Sequence, residues 1–182
     1  EPERFGGSSA DLADVAAAVA IPVLRKDFHV ASVQLYEARV LGASAALLIA
    51  RAVEPGQLRD LIATATDIGL ESLVEVRDDH ELARALDAGA TLIGVNNRNL
   101  ETLVIDPGTA ARIIPLIPGS VAAIAESGIS SRAEVERAAA FGADAVLVGS
   151  AVSAAADPVR AVAQLAGVPA NRNMRRDHGR SD

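Results

Sequence analysis

One unit recurs along the chain: a helical stretch, a glycine, a small or apolar residue, then a short apolar strand. It appears as Leu41-Gly42-Ala43 before Ala45 to Ala50, Ile68-Gly69-Leu70 before Ser72 to Val76, Ala88-Gly89-Ala90 before Leu92 to Val95, and Phe141-Gly142-Ala143 before Ala145 to Val148. Glycine just past a helix end supplies the left-handed turn that brings the chain back into a strand. Two further strands lack this lead-in: Pro22 to Leu24, after a helix over Ser9 to Val19, and Val121 to Ala125, after Pro118-Gly119.

The helices between these strands carry start signals and helical spacing. Ser131 with Glu134 three residues later forms a capping box ahead of Val135, Ala138 and Ala139. Asp79 precedes a helix with Leu82, Ala85 and Leu86 on one face, and Glu54-Pro55 opens another with Leu58, Leu61 and Ile62. Near-continuously apolar strands alternating with amphipathic helices mean a parallel sheet covered by helices. Such a sheet is either doubly wound or a (β/α)8 barrel.

Polar residues choose between the two. The strand ends carry Lys26 and Asp27, Arg51, Glu75, Asn96 and Asn97, Glu126 and Ser127, then Gly149 and Ser150. An open sheet concentrates its useful ends at one switch point, whereas here every strand offers something, as loops around a barrel mouth do. The expected fold is therefore α/β, of the (β/α)8 TIM-barrel type, spanning residues 1–168. Pro169 to Asp182, with four arginines and two acids, is expected to be a disordered polar tail.

Composition narrows the function. Half of the residues are hydrophobic and 23% are charged, as in a globular core. No apolar run approaches the roughly 20 residues that cross a bilayer, and the acidic start Glu1-Pro2-Glu3 is no signal peptide; no membrane partner and a cytoplasmic location are expected. Without cysteine, and with only His29, His80 and His178, no metal site is expected. A net charge of −7 and an aromatic set of Phe5, Phe28, Tyr36 and Phe141 argue against a nucleic-acid partner.

Lys26 is the one lysine among seventeen basic residues. Arginine stays charged at any working pH, while a partly buried lysine can give and share a proton. Glu75 sits between Val74 and Val76, and Glu126 between Ala125 and Ser127. A semi-buried carboxylate suits a general acid or base, and Lys26 is the cation for one of the two, in a proton-transfer network or in a structural ion pair. Ser127-Gly128 and Gly149-Ser150 follow the last two strands, where barrel enzymes bind phosphate against backbone N–H groups; either pair alone would be an ordinary turn.

Six stretches together resemble the indole-3-glycerol phosphate synthase family of tryptophan biosynthesis: Arg4-Phe5-Gly6-Gly7-Ser8, Leu24-Arg25-Lys26-Asp27-Phe28, Leu73-Val74-Glu75-Val76, Ile93-Gly94-Val95-Asn96-Asn97-Arg98-Asn99-Leu100, Ala125-Glu126-Ser127-Gly128-Ile129 and Val148-Gly149-Ser150. The likeness runs from about Arg4 to Leu165. It implies a ring closure of 1-(2-carboxyphenylamino)-1-deoxyribulose 5-phosphate with loss of carbon dioxide and water, needing neither metal nor cofactor. By this resemblance Lys26 is the general acid on the ribulose carbonyl, Glu75 its acid/base partner, and Asn96 a hydrogen-bonding group for sugar hydroxyls. Glu126 orients Lys26 or binds substrate, with Ser127 beside it. Gly128, Gly149 and Ser150 would hold the phosphate, and Phe5, Leu47 and Arg98 would enclose the anthranilate end.

A (β/α)8 barrel typically takes ~250 residues, so the six strands read here are expected to be the third to the eighth, the barrel being incomplete. The resemblance places a catalytic glutamate and a second lysine on the first strand. The 182 residues alone are therefore expected to lack turnover and to self-associate through open barrel edges. The competing expectation is a non-catalytic phosphate-binding or structural partial barrel.

Overall fold

The four glycines of the repeat take φ values from 68° to 104°, and each closes its helix in the same way. After Ala38, Gly42 N–H donates to the Arg39 carbonyl and Ala43 N–H reaches back to the Ala38 carbonyl; the same pair of bonds recurs at Gly69, Gly89 and Gly142. These are the paired bonds of the Schellman motif, which satisfy the last carbonyls of a helix. At Gly42 a Cβ would also lie 2.8 Å from the Ala16 methyl, so glycine is required there by contact as well as by backbone.

The computed structural model describes residues 6–175. They form two compact units, a first made of residues up to Glu75 together with Ala83–Ala90, and a second made of Val76–Leu82 together with residues from Thr91 onward. The first unit contains α1 (Ser9–Ala18), β1 (Leu24–Arg25), α2 (Ser32–Val40), β2 (Ala45–Ile49), α3 (Pro55–Asp67) and most of β3 (Glu71–Val76). Helix α4 (Asp79–Asp87) follows. The second unit contains β4 (Leu92–Asn96), α5 (Gly108–Ile113), β5 (Ala122–Glu126), α6 (Arg132–Ala140), β6 (Ala145–Leu147), α7 (Ser150–Ser153) and α8 (Pro158–Leu165).

Within the first unit β1, β2 and β3 pair in parallel in chain order, with Leu24 level with Ala45 and Ile49 level with Glu75. Within the second, β4, β5 and β6 do the same, with Asn96 level with Glu126 and Glu126 level with Leu147. Parallel neighbours joined through helices are the βα repeat of an incomplete (β/α)8 barrel, six of its eight units.

Alternation along the strands divides each sheet into two faces. Leu48 and Val74 are fully buried, as are Leu58, Leu61 and Ala65 on α3; truncating a leucine of this kind to alanine costs about 2–5 kcal/mol. Helix α1 buries none of its residues, although Ser8 and Asp11 cap it reciprocally. Among the described residues no helix is long and apolar enough to cross a membrane.

The strands differ from the sequence expectation mainly at their ends. The ladder of β1 begins at Leu24, because Pro22 has no N–H to offer and the Val23 N–H goes to Ser44 Oγ at 3.4 Å. Strand β5 runs one residue further and takes Glu126 into the ladder.

The stretch expected to be a disordered tail begins with an anchored turn, Arg172–Met174. Beyond it Arg175 is buried and donates to the Val121 carbonyl and to Asp144 Oδ2 at 2.8 Å, while Arg172 pairs with Asp144 Oδ1. Asp144 Oδ2 also accepts the Ala123 N–H at 2.8 Å. A guanidinium with a carboxylate and a carbonyl to bind can hold a short segment against the starts of β5 and β6. Residues 176–182 of the expected tail lie outside the described residues.

Candidate active site

Continuing the register of β1 by one residue brings Lys26 level with Leu47, on the sheet face that also carries Leu73 and Glu75. Arg25, one residue earlier, faces the helices instead, donating to Glu37 at 2.8 Å and to the Gln34 carbonyl at 3.3 Å. Alternation therefore separates two adjacent cations: Arg25 serves the packing, and Lys26 is left to the other face.

There the Lys26 ammonium lies 3.4 Å from Glu75 Oε2. The lysine side chain is 47% exposed and the glutamate side chain 4%. A buried carboxylate facing a half-exposed ammonium has its charge compensated at the edge of solvent, where a substrate can reach the cation. Leu47 is buried in β2 on the same face, and its carbonyl accepts the His29 Nδ1–H at 2.8 Å. Burial pushes the His29 imidazole below its ordinary pKa, against the bond to Leu47, which pulls the other way. The histidine is thus a neutral tie between β2 and the loop that follows Lys26.

The second unit shows the same sorting. Asn96 and Glu126 sit level on neighbouring strands and on one face, both buried. The Asn96 amide oxygen accepts the Arg98 N–H at 2.9 Å, which leaves its NH2 as the end that can donate outward. Asn97 points the other way. Its amide oxygen accepts the Ala110 N–H of α5 at 2.9 Å and its NH2 donates to the Ser127 carbonyl at 3.0 Å.

Asn97 therefore fixes the turn that carries Ser127, and that turn is unusual. Ser127 has φ 64° and Gly128 φ 74°; a non-glycine residue in the left-handed region costs ~1–2 kcal/mol. Arg98 extends the β4 end into a hairpin, bridging to Ile105 and donating to the Leu103 carbonyl at 3.2 Å.

The expected phosphate residues follow β5 and β6, whose ends are level. They are not equivalent. A Cβ at Gly128 would meet Ile105 Cγ2 at 2.7 Å, so packing and backbone both account for that glycine. Gly149 has φ −105° and nothing within 4 Å of a Cβ. Neither backbone nor neighbours require glycine there, and the space beside it is open. Ser150 begins α7 and is exposed.

The sequence-expected residues thus fall into two groups: Lys26 and Glu75 at the carboxyl ends of β1 and β3 with Leu47 in the middle of β2 in the first unit, and Asn96, Arg98, Glu126, Ser127, Gly128, Gly149 and Ser150 at or beyond the carboxyl ends of β4, β5 and β6 in the second. Phe5 lies outside the described residues. Sequence reasoning missed Gln34, whose amide binds the loop after Lys26 at both ends. A glutamine at the third helical position is half of a capping box, and that signal could have found it.

The family model described as indole-3-glycerol phosphate synthase matches residues 1–165. The chain is 51% identical over 181 residues to indole-3-glycerol phosphate synthase 1 of Streptomyces coelicolor, covering 100% of this chain and 66% of that protein. It is 53% identical over 165 residues to the indole-3-glycerol phosphate synthase of Kineococcus radiotolerans, covering 91% and 60%. The chain thus spans 60–66% of the length of these two relatives. Among solved structures it resembles 3-hexulose-6-phosphate synthase from Salmonella typhimurium, with a TM-score of 0.72 at 18% identity over 90% of this chain and 80% of that one; this is a likeness of fold.

Proposed function

The chain belongs to the indole-3-glycerol phosphate synthase family, and from that premise we propose that it supplies the acid/base and phosphate-binding parts of an indole-forming carboxy-lyase of tryptophan biosynthesis. The substrate is 1-(2-carboxyphenylamino)-1-deoxyribulose 5-phosphate. The observation that carries this reading is the approach of Lys26 Nζ to the buried Glu75 carboxylate at 3.4 Å, at the carboxyl ends of β1 and β3.

In the first step the ring carbon bearing the carboxylate bonds to the ribulose carbonyl carbon. The carbonyl oxygen, gaining charge, takes a proton from the Lys26 ammonium. Carbon dioxide then leaves and its bonding electrons restore the aromatic ring. In the last step the new hydroxyl leaves as water, and the neighbouring carbon gives up a proton to form the indole double bond. Glu75, beside Lys26, is placed to receive and return protons in this sequence.

Asn96 donates its NH2 to the sugar hydroxyls, and Glu126, level with it on β5, binds the same part of the substrate. The backbone N–H groups around Gly128, Gly149 and Ser150 hold the phosphate, and Phe5, Leu47 and Arg98 enclose the anthranilate ring. The reaction is that of a cytoplasmic enzyme. In the 182-residue chain on its own, Val19 and Ile21, exposed ahead of β1, favour self-association.

The test is incubation of the full-length protein with the substrate, following indole fluorescence and released carbon dioxide together. Equal amounts of both products support the reading. Phosphate binding without either product would instead make this a non-catalytic phosphate-binding barrel.

A further inference from the structure

The loop from Lys26 to Ala31 has no helix or strand, so its backbone polar groups need partners from elsewhere. The side chain of Gln34, at the third position of α2, supplies three of them. Its Oε1 accepts the Val30 N–H at 2.7 Å and the Ala31 N–H at 3.0 Å, and its Nε2 donates to the Phe28 carbonyl at 2.9 Å. Its main-chain carbonyl accepts from the Arg25 guanidinium at 3.3 Å. One residue therefore grips Arg25 on one side of Lys26 and Phe28 on the other. Gln57, in α3, touches only the far side of the loop, donating to the Val30 carbonyl at 2.6 Å.

The geometry points to Gln34 as the positioning residue of Lys26: its amide fixes the backbone that follows the lysine, from Phe28 to Ala31, and so holds the ammonium at Glu75 for proton transfer. The assignment rests on the acid/base reading of Lys26 given above. A half-exposed lysine has four rotatable bonds and much rotamer freedom to lose, so its working geometry must be set by the backbone that carries it. An amide suits this task because it offers an acceptor and a donor in one plane without adding a charge beside Lys26.

The test uses the full-length protein with Gln34→Met, which keeps the length of the side chain and removes both ends of the clamp, beside Gln34→Glu and Gln57→Met. Gln34→Met is expected to lower kcat by at least ~10-fold with KM nearly unchanged. Gln34→Glu keeps the acceptor for Val30 and Ala31 and should recover part of that loss. Gln57→Met should cost less than Gln34→Met, because it leaves both flanks of Lys26 held. Unchanged kcat in Gln34→Met, or equal losses in Gln34→Met and Gln57→Met, overturns the assignment. If Gln34→Met does not fold, Gln34→Glu carries the test, and wild-type kcat in that variant overturns it.

A second readout needs no turnover. Trace acetylation with acetic anhydride, read by mass spectrometry on the Lys26 peptide, should speed up in Gln34→Met as the ammonium leaves Glu75. A wild-type protein that forms no indole would defeat the proposed reaction. In that case unchanged acetylation would separately defeat the positioning role, and faster acetylation would uphold it.

Discussion

Lys26 and Glu75 meet at 3.4 Å with opposite exposures, the cation half in solvent and the carboxylate almost wholly out of it. An ordinary surface ion pair exposes both partners and contributes 0–1 kcal/mol. Here the buried partner depends on the exposed one for compensation, while the exposed one is open to a ligand. The pair is thus suited to exchange a proton with a bound substrate.

Lys26→Met should abolish indole formation in the full-length protein, a loss of at least ~10²–10⁴-fold in kcat, the usual worth of a positioned acid. Lys26→Arg should be nearly as damaging, since guanidinium does not give up its proton usefully. Steady-state kinetics on the two variants makes the check. Near-normal turnover in the arginine variant would remove the general-acid role.

Glu75→Gln retains shape and hydrogen-bonding capacity but cannot accept the proton. The single-turnover rate should fall at least ~10²-fold, while substrate affinity changes far less. Rapid-quench kinetics beside equilibrium titration separates the two. Equal losses in rate and affinity would make Glu75 a structural residue.

Gly149→Val should weaken substrate and inorganic phosphate together, by at least ~10-fold in Kd, because the added methyl groups occupy the open space an anion would fill beside the backbone N–H groups. Calorimetric phosphate titration reads the effect. The fold should tolerate the change better than one at Gly128, where Ile105 is already in the way. Unchanged phosphate affinity would move the anion site elsewhere.

Stability should fall as the pH drops below about 6.5, because the unfolded chain then binds a proton at His29 while the folded one, its imidazole depressed by burial, does not. The contribution is fully present above that pH and is lost as pH falls toward the folded value, at up to ~1.4 kcal/mol per pH unit. Thermal midpoints between pH 7.5 and 5.5 should therefore drop more in the wild type than in His29→Gln. Glu37 and Glu134, both depressed by hydrogen bonds, lose their contributions only below about 4.5, a separate window. Parallel curves for the two proteins would show that His29 does not titrate in this way.

Asp144→Ala removes the carboxylate of a guanidinium with 0% side-chain exposure. Stranding a buried charge costs about 3–5 kcal/mol, so the urea midpoint should fall sharply. Adding Arg175→Met should recover part of the loss. A single variant as stable as the wild type would mean that residues 171–175 do not hold β5 and β6.

The βα repeat was legible in the sequence because its causes are local. Glycine after a helix, a capping box at Ser131 and Glu134, and apolar runs of strand length act within a few residues, and the structure shows each of them. The chemically active residues were legible for a related reason. A carboxylate inside an apolar strand, or a single lysine among arginines, contradicts its surroundings and so stands out. Which carboxylate answers Lys26 was not legible, since that depends on the parallel register of β1, β2 and β3, set by packing across two helical crossovers. Gln34 showed in the sequence only as a glutamine at a helix start; that it clamps the loop after Lys26 appears only through the bonds it makes there. Arg175 read as part of a polar tail because its partners, Val121 and Asp144, lie 54 and 31 residues away. Short-range chemistry thus determined the elements and named the reactive groups, and only the tertiary structure, by bringing distant residues within hydrogen-bond reach, decided which of them act together.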